Sequence, residues 1–433
     1  MPERGVSPRS NAERIAVIGL GYVGFPLSVA LADAFEGVVG YDISERRVAT
    51  LSSGHDFTGE ISAEIIAETD LHITQNASDL ARATVYIVTV PTPIDDANRP
   101  DFAPLLSACN IIGTHLKRGD LVVFESTVYP GVTQDYCGKR LSDVSGLVAG
   151  VDFNLGYSPE RINPGDKVNT ISKIVKIVAA DTPQALDRVA RIYEAIVDAG
   201  IYRASSIAVA EAAKVLENTQ RDVNIALMNE MAIICDKAGI STAEVIAAAS
   251  TKWNFVRFQP GLVGGHCIGV DPYYLASLSE KLGHHAEVIL AARRVNNGMP
   301  GYVADVVLRK LVQSNKTGTS ARIGVFGVTF KEDVPDIRNS KVFDLIRALQ
   351  QHGLNLLVAD PHVDNADLRH EGLVLTAMAD MTDLDIMILA VPHRSFLAEA
   401  DFLNRIAPGG DLIDVKAAFQ RVARRSDIAY WSL

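Results

Sequence analysis

Three glycines near the beginning of the chain constrain its fold more than any other feature. Gly19, Gly21 and Gly24 form a G-x-G-x-x-G pattern between the apolar run at residues 15–18 and a helix-like segment. A second apolar run follows and ends in Asp42, eighteen residues beyond Gly24. Strand, glycine turn, helix and strand form the unit that places two parallel strands side by side, with a pyrophosphate on the helix N-terminus. The pattern therefore predicts a dinucleotide-binding domain.

The acid that ends the second strand decides which dinucleotide fits. A carboxylate at Asp42 accepts the ribose hydroxyls and repels a 2′-phosphate, so NAD is favoured over NADP. Arg46 and Arg47 leave NADP open, because arginines just past this strand can bind the extra phosphate. A glycine turn that holds no cofactor is the other alternative. The residues predicted to contact NAD are Gly19, Gly21, Tyr22, Val23, Gly24, Asp42, Arg47, Pro91, Thr92 and Thr127.

Three of these contacts lie in loops that follow later predicted strands. Pro91 and Thr92 belong to one loop and Thr127 to the next. Both loops fall at the carboxyl edge, where ligands of open α/β sheets bind. Thr127 therefore offers a hydroxyl to cofactor or substrate; a helix N-cap is the alternative for an isolated threonine.

Strand and helix patterns alternate along the whole chain. Buried-strand runs favour a doubly wound parallel sheet up to about residue 200, and residues 206–237 are typical of one long helix. More helix is predicted over 271–312, and 313–320 is a linker candidate. The opening pattern returns from residue 323 without its third glycine, which indicates a ligand other than a dinucleotide. We predict an α/β fold with two Rossmann-like doubly wound parallel sheets, joined by a long central helix and a helical middle domain. The predicted domains are 1–200, 201–315 and 316–433.

Composition excludes several classes of protein. With 41 basic and 52 acidic residues the net charge is −11, which argues against a nucleic-acid-binding protein. Four cysteines without a C-x-x-C pair argue against a disulfide scaffold and a thiolate zinc site, and we predict no metal. The N-terminus lacks the apolar core of a signal peptide, and no apolar run is long enough for a membrane helix. We therefore expect a soluble cytoplasmic protein without a membrane partner.

Cys267 lies in the most informative stretch of the sequence, a loop with four nearby glycines. Asp271 followed by Pro272 predicts a helix start just beyond it. A thiolate near a helix N-terminus is stabilised, which suits a nucleophile. A buried, inert thiol is the alternative.

A polar stripe on the long helix supplies the groups that such a nucleophile needs. Glu211, Lys214, Asn218 and Arg221 share one face, although a solvated charged face is the alternative. These groups are consistent with a reaction in four steps. An alcohol is oxidised to an aldehyde, Cys267 captures the aldehyde, a second oxidation gives a thioester, and water hydrolyses the thioester. Lys214 and Asn218 can stabilise the developing oxyanions, and Glu160 is the candidate base for water.

These motifs resemble the UDP-glucose/GDP-mannose dehydrogenase family of NAD-dependent, four-electron nucleotide-sugar 6-dehydrogenases, from residue 15 to about 422. The resemblance implies a catalytic threonine at Thr127, a hydrolytic glutamate at Glu160, an oxyanion and water-positioning pair at Lys214 and Asn218, a nucleophile at Cys267 and a supporting acid at Asp271. It makes 316–433 a UDP-sugar domain. The substrate-binding residues it implies are Glu160, Arg161, Lys214, Asn218, Arg257, Phe258, Gly264, Phe330, Lys331 and Arg338.

Within this family, residues 157–166, 251–254 and 264–274 are similar to bacterial enzymes acting on UDP-N-acetylhexosamines, UDP-GlcNAc or UDP-GalNAc. Such enzymes serve capsule and O-antigen polysaccharide synthesis. UDP-ManNAc and UDP-glucose are the alternative substrates. One departure is that Gln259 stands where relatives often have an arginine, and the nearest arginine is Arg257. The long helix and the resemblance together predict a homodimer.

Two other classes of function stay open at this point. A single-step hydroxyacid dehydrogenase would share the first domain, but it explains neither the cysteine loop nor the second sheet. A non-catalytic nucleotide-sugar-binding protein is the remoter alternative, because Lys214, Asn218 and Cys267 are all present.

Overall fold

A computed structural model describes residues 13–95, 97–162, 168–265, 268–316, 320–420 and 425–433. The chain divides into two compact units. Unit 1 comprises Met1–Glu217 and Tyr273–His284, and unit 2 comprises Asn218–Pro272 and His285–Leu433. Each unit is built around its own sheet.

The sheet of unit 1 has eight strands. They are β1 (Ile15–Ile18), β2 (Val39–Tyr41), β3 (His72–Thr74), β4 (Val85–Val88), β5 (Leu121–Phe124), β6 (Asn154–Tyr157), β7 (Lys176–Ala180) and β8 (Ile201–Arg203). Their spatial order is β3-β2-β1-β4-β5-β6-β7-β8. Strands β1, β4 and β5 are buried along their whole length, as continuous apolar runs predict for a sheet covered on both faces.

One pairing departs from the predicted parallel sheet. β6 and β7 run antiparallel, with Tyr157 opposite Ala179. In the described part of the connection between them, the one helical element is a single turn at Ile171–Lys173. Among these described residues nothing forms the crossover helix that a parallel strand would need, and β7 pairs with β6 in the opposite direction. The sequence prediction is wrong at this step.

Helices cover the sheet of unit 1. They are α1 (Gly24–Ala34), α2 (Glu45–Ser52), α3 (Ala63–Glu68), α4 (Ala103–Gly113), α5 (Lys139–Ser145) and α6 (Pro183–Glu194). Capping explains several starts: the Ser44 side chain accepts from the Arg47 amide, and Thr182 accepts from Ala185 ahead of α6. The apolar faces of α1 and α6 pack into one core with the central strands.

The middle of the sequence is helical, as predicted. α7 (Ile207–Ala238) is followed by α8 (Thr242–Ala249), α9 (Asp271–Lys281) and α10 (Glu287–Gln313). Gly239 ends α7 with a φ of 70°. The helical region predicted over 271–312 consists of two helices, and Gly283 has a φ of 77° in the turn between them. α7 contributes residues to both units.

The sheet of unit 2 has five parallel strands in the order β10-β9-β11-β12-β13. They are β9 (Ile323–Phe326), β10 (Leu356–Ala359), β11 (Leu384–Leu389), β12 (Ile406–Asp414) and β13 (Ala429–Ser432), with helices α11 (Val342–Gln351) and α12 (Arg394–Ala398). The sequence analysis did not find β13, which pairs with β12 through Tyr430 and Trp431. α10, α11 and this sheet enclose a second core. The predicted fold class, two Rossmann-like sheets with a long central helix, is confirmed.

Candidate active site

The glycine turn of unit 1 has the shape that a pyrophosphate requires. A Cβ atom added to Gly24 would lie 1.8 Å from the Gly19 carbonyl oxygen, so only glycine allows α1 to approach β1 this closely. At Gly21 an added Cβ would meet nothing within 4 Å, which leaves open space above the turn. Tyr22 and Val23 lie between these glycines, and the first turn of α1 has no acidic residue and no side-chain cap. The turn therefore fits an anionic cofactor at the helix N-terminus.

Asp42 and Arg47 lie beside this turn. The Asp42 carboxylate accepts hydrogen bonds from the Leu20 and Ser44 amides, each at 2.8 Å. Arg47 is buried, donates to the Leu20 carbonyl at 2.6 Å and pairs with Asp56 at 2.8 Å. Because the guanidinium already has a carboxylate partner, this arrangement favours NAD over a cofactor with a 2′-phosphate.

The two loops after β4 and β5 are joined to each other. The Ser126 hydroxyl donates to the Val90 carbonyl at 2.6 Å, next to Pro91. The Thr92 carbonyl accepts from the Tyr274 hydroxyl at 2.9 Å. Thr127 is half-buried, and the next helix begins at Val132 behind Gly131. The helix N-cap alternative for Thr127 is therefore wrong.

Both oxygens of the Glu160 carboxylate have partners in unit 1. One oxygen accepts from the amides of Arg161 and Ile162, at 2.6 and 2.5 Å. The other lies 3.3 Å from the Lys176 ammonium. Lys214, buried on α7, donates to the Glu160 backbone carbonyl at 2.6 Å. The structure thus brings together the predicted base and the predicted oxyanion group, and it adds Lys176, which sequence reasoning missed.

The other members of the polar stripe on α7 separate into different environments. Glu211 is buried and accepts from the amides of Gly131 and Thr133, at 2.7 and 2.9 Å. Arg221 is exposed, so the expectation that it shares the stripe's surroundings is wrong. Arg161 pairs with Glu217 at 2.8 Å. Its guanidinium is therefore already engaged at the place where we predicted a substrate contact.

Unit 2 holds the remaining predicted catalytic residues. The Asn218 amide, buried on α7, donates to the Asp271 carboxylate at 2.5 Å. Asp271 opens α9, as predicted. Cys267 and its neighbour His266 lie outside the described residues. The loop before them is closely packed, because an added Cβ at Gly264 would lie 2.5 Å from the Asn339 carbonyl.

The remaining residues predicted to bind the sugar nucleotide lie in unit 2 and form two groups. The first surrounds the glycine loop of Gly264: a Cβ added to Gly265 would lie 2.8 Å from the Phe330 ring, beside Lys331. Arg338 belongs to the same segment and pairs with Asp336 at 2.7 Å. The second group consists of Arg257 and Phe258. Arg257 lines a cavity of about 210 Å³ together with Gln259 and Lys416.

Comparison with known proteins decides the family. Residues 13–197, 208–298 and 324–421 match the NAD binding domain, the central domain and the UDP binding domain of the UDP-glucose/GDP-mannose dehydrogenase family. The chain belongs to this family. It is therefore an NAD-dependent nucleotide-sugar dehydrogenase, and NAD, rather than NADP, is its cofactor.

Individual members of the family are similar along most of their length. A UDP-N-acetyl-D-glucosamine 6-dehydrogenase from Pseudomonas aeruginosa is 49% identical over 385 residues, 88% of this chain and 91% of the relative. Protein CapL from Staphylococcus aureus is 48% identical over 404 residues, 93% of this chain and 95% of the relative. A solved UDP-D-ManNAc dehydrogenase from Pyrococcus horikoshii has a TM-score of 0.86 and 28% identity, with 97% of this chain and 98% of that chain covered.

Unit 2 also contains a cluster of one aspartate and two histidines that was not predicted from the sequence. Asp333, His362 and His393 offer ligand atoms within 4.8 Å of one another, a spacing at which a metal ion could be held. Both ring nitrogens of His393 are engaged, however: Nδ1 accepts from the Asp333 amide at 3.0 Å and Nε2 lies 3.1 Å from Asp360. The cluster therefore forms a hydrogen-bond network at the edge of the second sheet.

Within the described ranges, each helix is too short or too polar to span a bilayer.

Proposed function

We propose that this dehydrogenase oxidises C6 of UDP-N-acetylglucosamine to the uronic acid, with UDP-N-acetylgalactosamine as the alternative substrate. The observation that supports the proposal is the difference in sequence identity to two kinds of relative. The chain is 49% identical to a UDP-N-acetyl-D-glucosamine 6-dehydrogenase but 33% identical to a UDP-N-acetyl-D-mannosamine dehydrogenase from Pyrococcus horikoshii. The resemblance of residues 157–166 and 264–274 to enzymes acting on N-acetylated sugars supports the same substrate class.

The proposed chemistry proceeds through a covalent bond to Cys267. Bound NAD supplies the hydride-accepting chemistry of both oxidations. The Cys267 thiolate attacks the C6 aldehyde and forms a thiohemiacetal, which the second oxidation converts to a thioester. Lys214 and Asn218 are one helical turn apart on α7 and donate hydrogen bonds to the oxyanion at C6. Asp271 accepts the Asn218 amide and so fixes the direction in which Asn218 points.

Hydrolysis completes the reaction. Water attacks the thioester carbonyl, its proton moves to Glu160, and the bond between C6 and sulfur breaks to release the Cys267 thiolate. Glu160 suits this role because its carboxylate is held as an anion by two amides and an ammonium. Thr127, half-buried at the end of β5, is proposed to contact cofactor or substrate through its hydroxyl.

The stoichiometry of the reaction tests the proposal. UDP-GlcNAc, UDP-GalNAc, UDP-ManNAc and UDP-glucose are assayed side by side, with NADH and product quantified. We expect UDP-GlcNAc to give the highest kcat/KM and about two NADH per sugar consumed, as a four-electron oxidation requires. One NADH per sugar would reject the thioester route, and NAD and UDP-sugar binding without turnover would support the non-catalytic alternative.

A single substitution tests the nucleophile. Cys267→Ser is expected to keep NAD affinity and to lower turnover by at least about a thousandfold, because a hydroxyl is a far weaker nucleophile and a poorer leaving group than a thiolate. Cys235→Ser, at a buried cysteine of α7 away from this loop, is the matched control. A fully active Cys267→Ser enzyme would contradict the mechanism.

We also infer a homodimer, because α7 carries an exposed apolar stripe formed by Val209, Leu216, Leu227 and Ile234. The uronic acid is proposed to serve capsule or O-antigen polysaccharide synthesis, as the family resemblance implies. The cytoplasmic location and the domain limits 1–200, 201–315 and 316–433 stay predictions.

A further inference from the structure

A lysine buried between two glutamates lies beside the candidate base of unit 1. Lys176 Nζ is 2.8 Å from an oxygen of Glu125 and 3.3 Å from an oxygen of Glu160. The three side chains are 3%, 0% and 11% exposed, so water screens them little. The Tyr193 hydroxyl donates a short hydrogen bond to the second oxygen of Glu125. These four residues form one continuous buried network.

The reversal of β7 explains why this lysine reaches Glu160. β6 and β7 pair with Tyr157 opposite Ala179, and extending that antiparallel register by three residues puts Glu160 opposite Lys176. Glu125 directly follows β5, the neighbour of β6 on its other side. The network therefore lies where β5 and β6 end and β7 begins.

The charges of the network do not cancel when all three groups are ionised. Two carboxylates and one ammonium leave one negative charge in a buried place, which is costly unless further donors compensate it. Glu160 has such donors in the Arg161 and Ile162 amides. The ammonium of Lys214, on α7, also favours its anion. Glu125 receives hydrogen bonds from Lys176 and Tyr193.

The two carboxyls consequently differ in proton affinity. Burial raises the pKa of Glu125 to about 7, although the Lys176 ammonium acts in the opposite direction. Burial also acts to raise the pKa of Glu160, but the Lys176 ammonium, the two amides and Lys214 together hold it below its usual value. Burial alone would lower the pKa of Lys176, yet its two carboxylate partners raise it. Glu160 stays ionised while Glu125 titrates near neutral pH.

We propose that Lys176 is a positioning residue for Glu160: its ammonium fixes one Glu160 oxygen, and Glu125 competes for the same ammonium only when Glu125 is ionised. The inference rests on the proposed function, in which Glu160 takes the proton of the hydrolytic water. Lys176 makes Glu160 a weaker base that is ionised at lower pH. Glu125 weakens this effect above about pH 7 and is neutral in the range where Glu160 takes up a proton.

The pH profile of hydrolysis tests this arrangement. Hydrolysis of the covalent intermediate is followed at each pH by rapid quenching and intact-protein mass spectrometry. Lys176→Gln should move the acidic limb of the hydrolysis rate upward by about one pH unit, because an opposite charge at this distance lowers a carboxyl pKa by about 1–3. Glu125→Gln should leave this limb in place, because burial raises the pKa of Glu125 to about 7 and its carboxyl is therefore already neutral where Glu160 titrates.

Controls separate this effect from a general loss of structure. Lys176→Arg keeps the charge and should restore the wild-type limb. Lys310→Gln removes a lysine that pairs with Asp411 at 3.1 Å in unit 2, and it should leave the limb in place. An unshifted limb in Lys176→Gln, or a limb in Glu125→Gln that moves as far as it does in Lys176→Gln, would overturn the proposal.

A second measurement needs no turnover. Infrared difference spectra of the wild type should contain a protonated carboxyl band that disappears near pH 7. The Glu125→Gln variant should lack this band. In Lys176→Gln that band should persist to higher pH. A Glu125 band whose titration does not depend on Lys176 would overturn the network. If the enzyme oxidised none of the UDP-sugars, this titration would still test the network independently of the proposed function.

Discussion

At the scale of single residues, Glu211 illustrates how a buried carboxylate orders a loop near the candidate active site. It is fully buried on α7 and accepts from the amides of Gly131 and Thr133. Gly131 has a φ of 100°, a conformation that glycine adopts without strain. The loop between Thr127 and α5 is therefore attached to α7 through one side chain.

Glu211 should make stability depend on pH. Burial raises its pKa from 4.5 to about 7, so the folded state binds a proton that the unfolded state releases between these values. Below about pH 4.5 this proton adds on the order of 3 kcal/mol to the unfolding free energy. This stabilisation is lost as the pH rises towards 7. Glu211→Gln should flatten this part of the profile of unfolding free energy, measured with denaturant from pH 5 to 8.

The control for this measurement lies on the same helix. Glu230 is exposed on α7, and Glu230→Gln should leave the slope unchanged. A Glu211→Gln variant that kept the full wild-type slope would show that other groups cause the pH dependence.

Two glycines of the NAD turn should respond differently to the same added methyl group. Gly24→Ala places Cβ 1.8 Å from a backbone oxygen and should destabilise unit 1 by several kcal/mol, on the order of the larger overpacking costs. Gly21→Ala has open space around Cβ and should fold normally, but the methyl group occupies the space above the turn. We expect at least about tenfold weaker NAD binding by calorimetry. Equal NAD affinity in Gly21→Ala and wild type would contradict the assigned cofactor position.

At the scale of elements, α9 is attached to unit 1 by side chains beyond its first turn. The buried Tyr274 hydroxyl donates to the carbonyls of Thr92 and Pro93, at 2.9 and 3.2 Å. Further along the helix, the Lys281 ammonium donates to the hydroxyls of Tyr129 and Tyr136. These contacts join α9 to both loops at the carboxyl edge of the sheet.

Removing one hydroxyl tests this attachment. Tyr274→Phe keeps the ring but removes the hydroxyl that donates to the Thr92 carbonyl, while the Pro93 carbonyl keeps the Asp101 amide as a donor. We therefore expect a loss of about 1–2 kcal/mol in unfolding free energy. Because Thr92 lies in the predicted NAD loop, KM for NAD should rise several-fold with a smaller change in kcat. Tyr202→Phe, at a tyrosine 60% exposed, is the control and should change neither quantity. An unchanged KM for NAD in Tyr274→Phe would contradict the link to the cofactor loop.

Local patterns in the sequence were sufficient for most elements and for part of the site. The glycine turn, α7 and the start of α9 at Asp271 depend on neighbouring residues, and all three were predicted. The direction of β7 and the pairing of β13 depend on contacts between distant segments, and both were missed. Lys176 and Glu125 were missed for the same reason, since only the register of β6 with β7 brings Lys176 opposite Glu160. The pairing of Arg161 with Glu217, 56 residues further along the chain, was missed for the same reason.

At the scale of the whole molecule, α7 presents an apolar stripe to solvent. Val209, Leu216, Leu227 and Ile234 are 47%, 61%, 53% and 52% exposed. Their spacings of seven, eleven and seven residues put them on one face of the helix. Such a row of exposed aliphatic side chains is typical of a surface covered by another protein chain.

Charge on this stripe should prevent the proposed homodimer from forming. Leu216→Glu combined with Leu227→Glu should give a monomer by sedimentation at concentrations where the wild type is a dimer, because two carboxylates per chain would be buried without partners. Val288→Glu, at a valine 68% exposed on α10, is the matched control and should remain dimeric. A wild type that sediments as a monomer would contradict the homodimer itself.

The antiparallel step between β6 and β7 also has a consequence for how this enzyme can diversify. The pairing brings Glu160 and Lys176 to the same edge of the sheet, next to the end of β5. The 157–166 stretch, by which the sequence resembles enzymes for N-acetylated sugars, begins at that edge. Substitutions there that alter sugar preference are therefore acceptable only where they preserve the contacts of Glu160 with Lys176 and with the Arg161 and Ile162 amides.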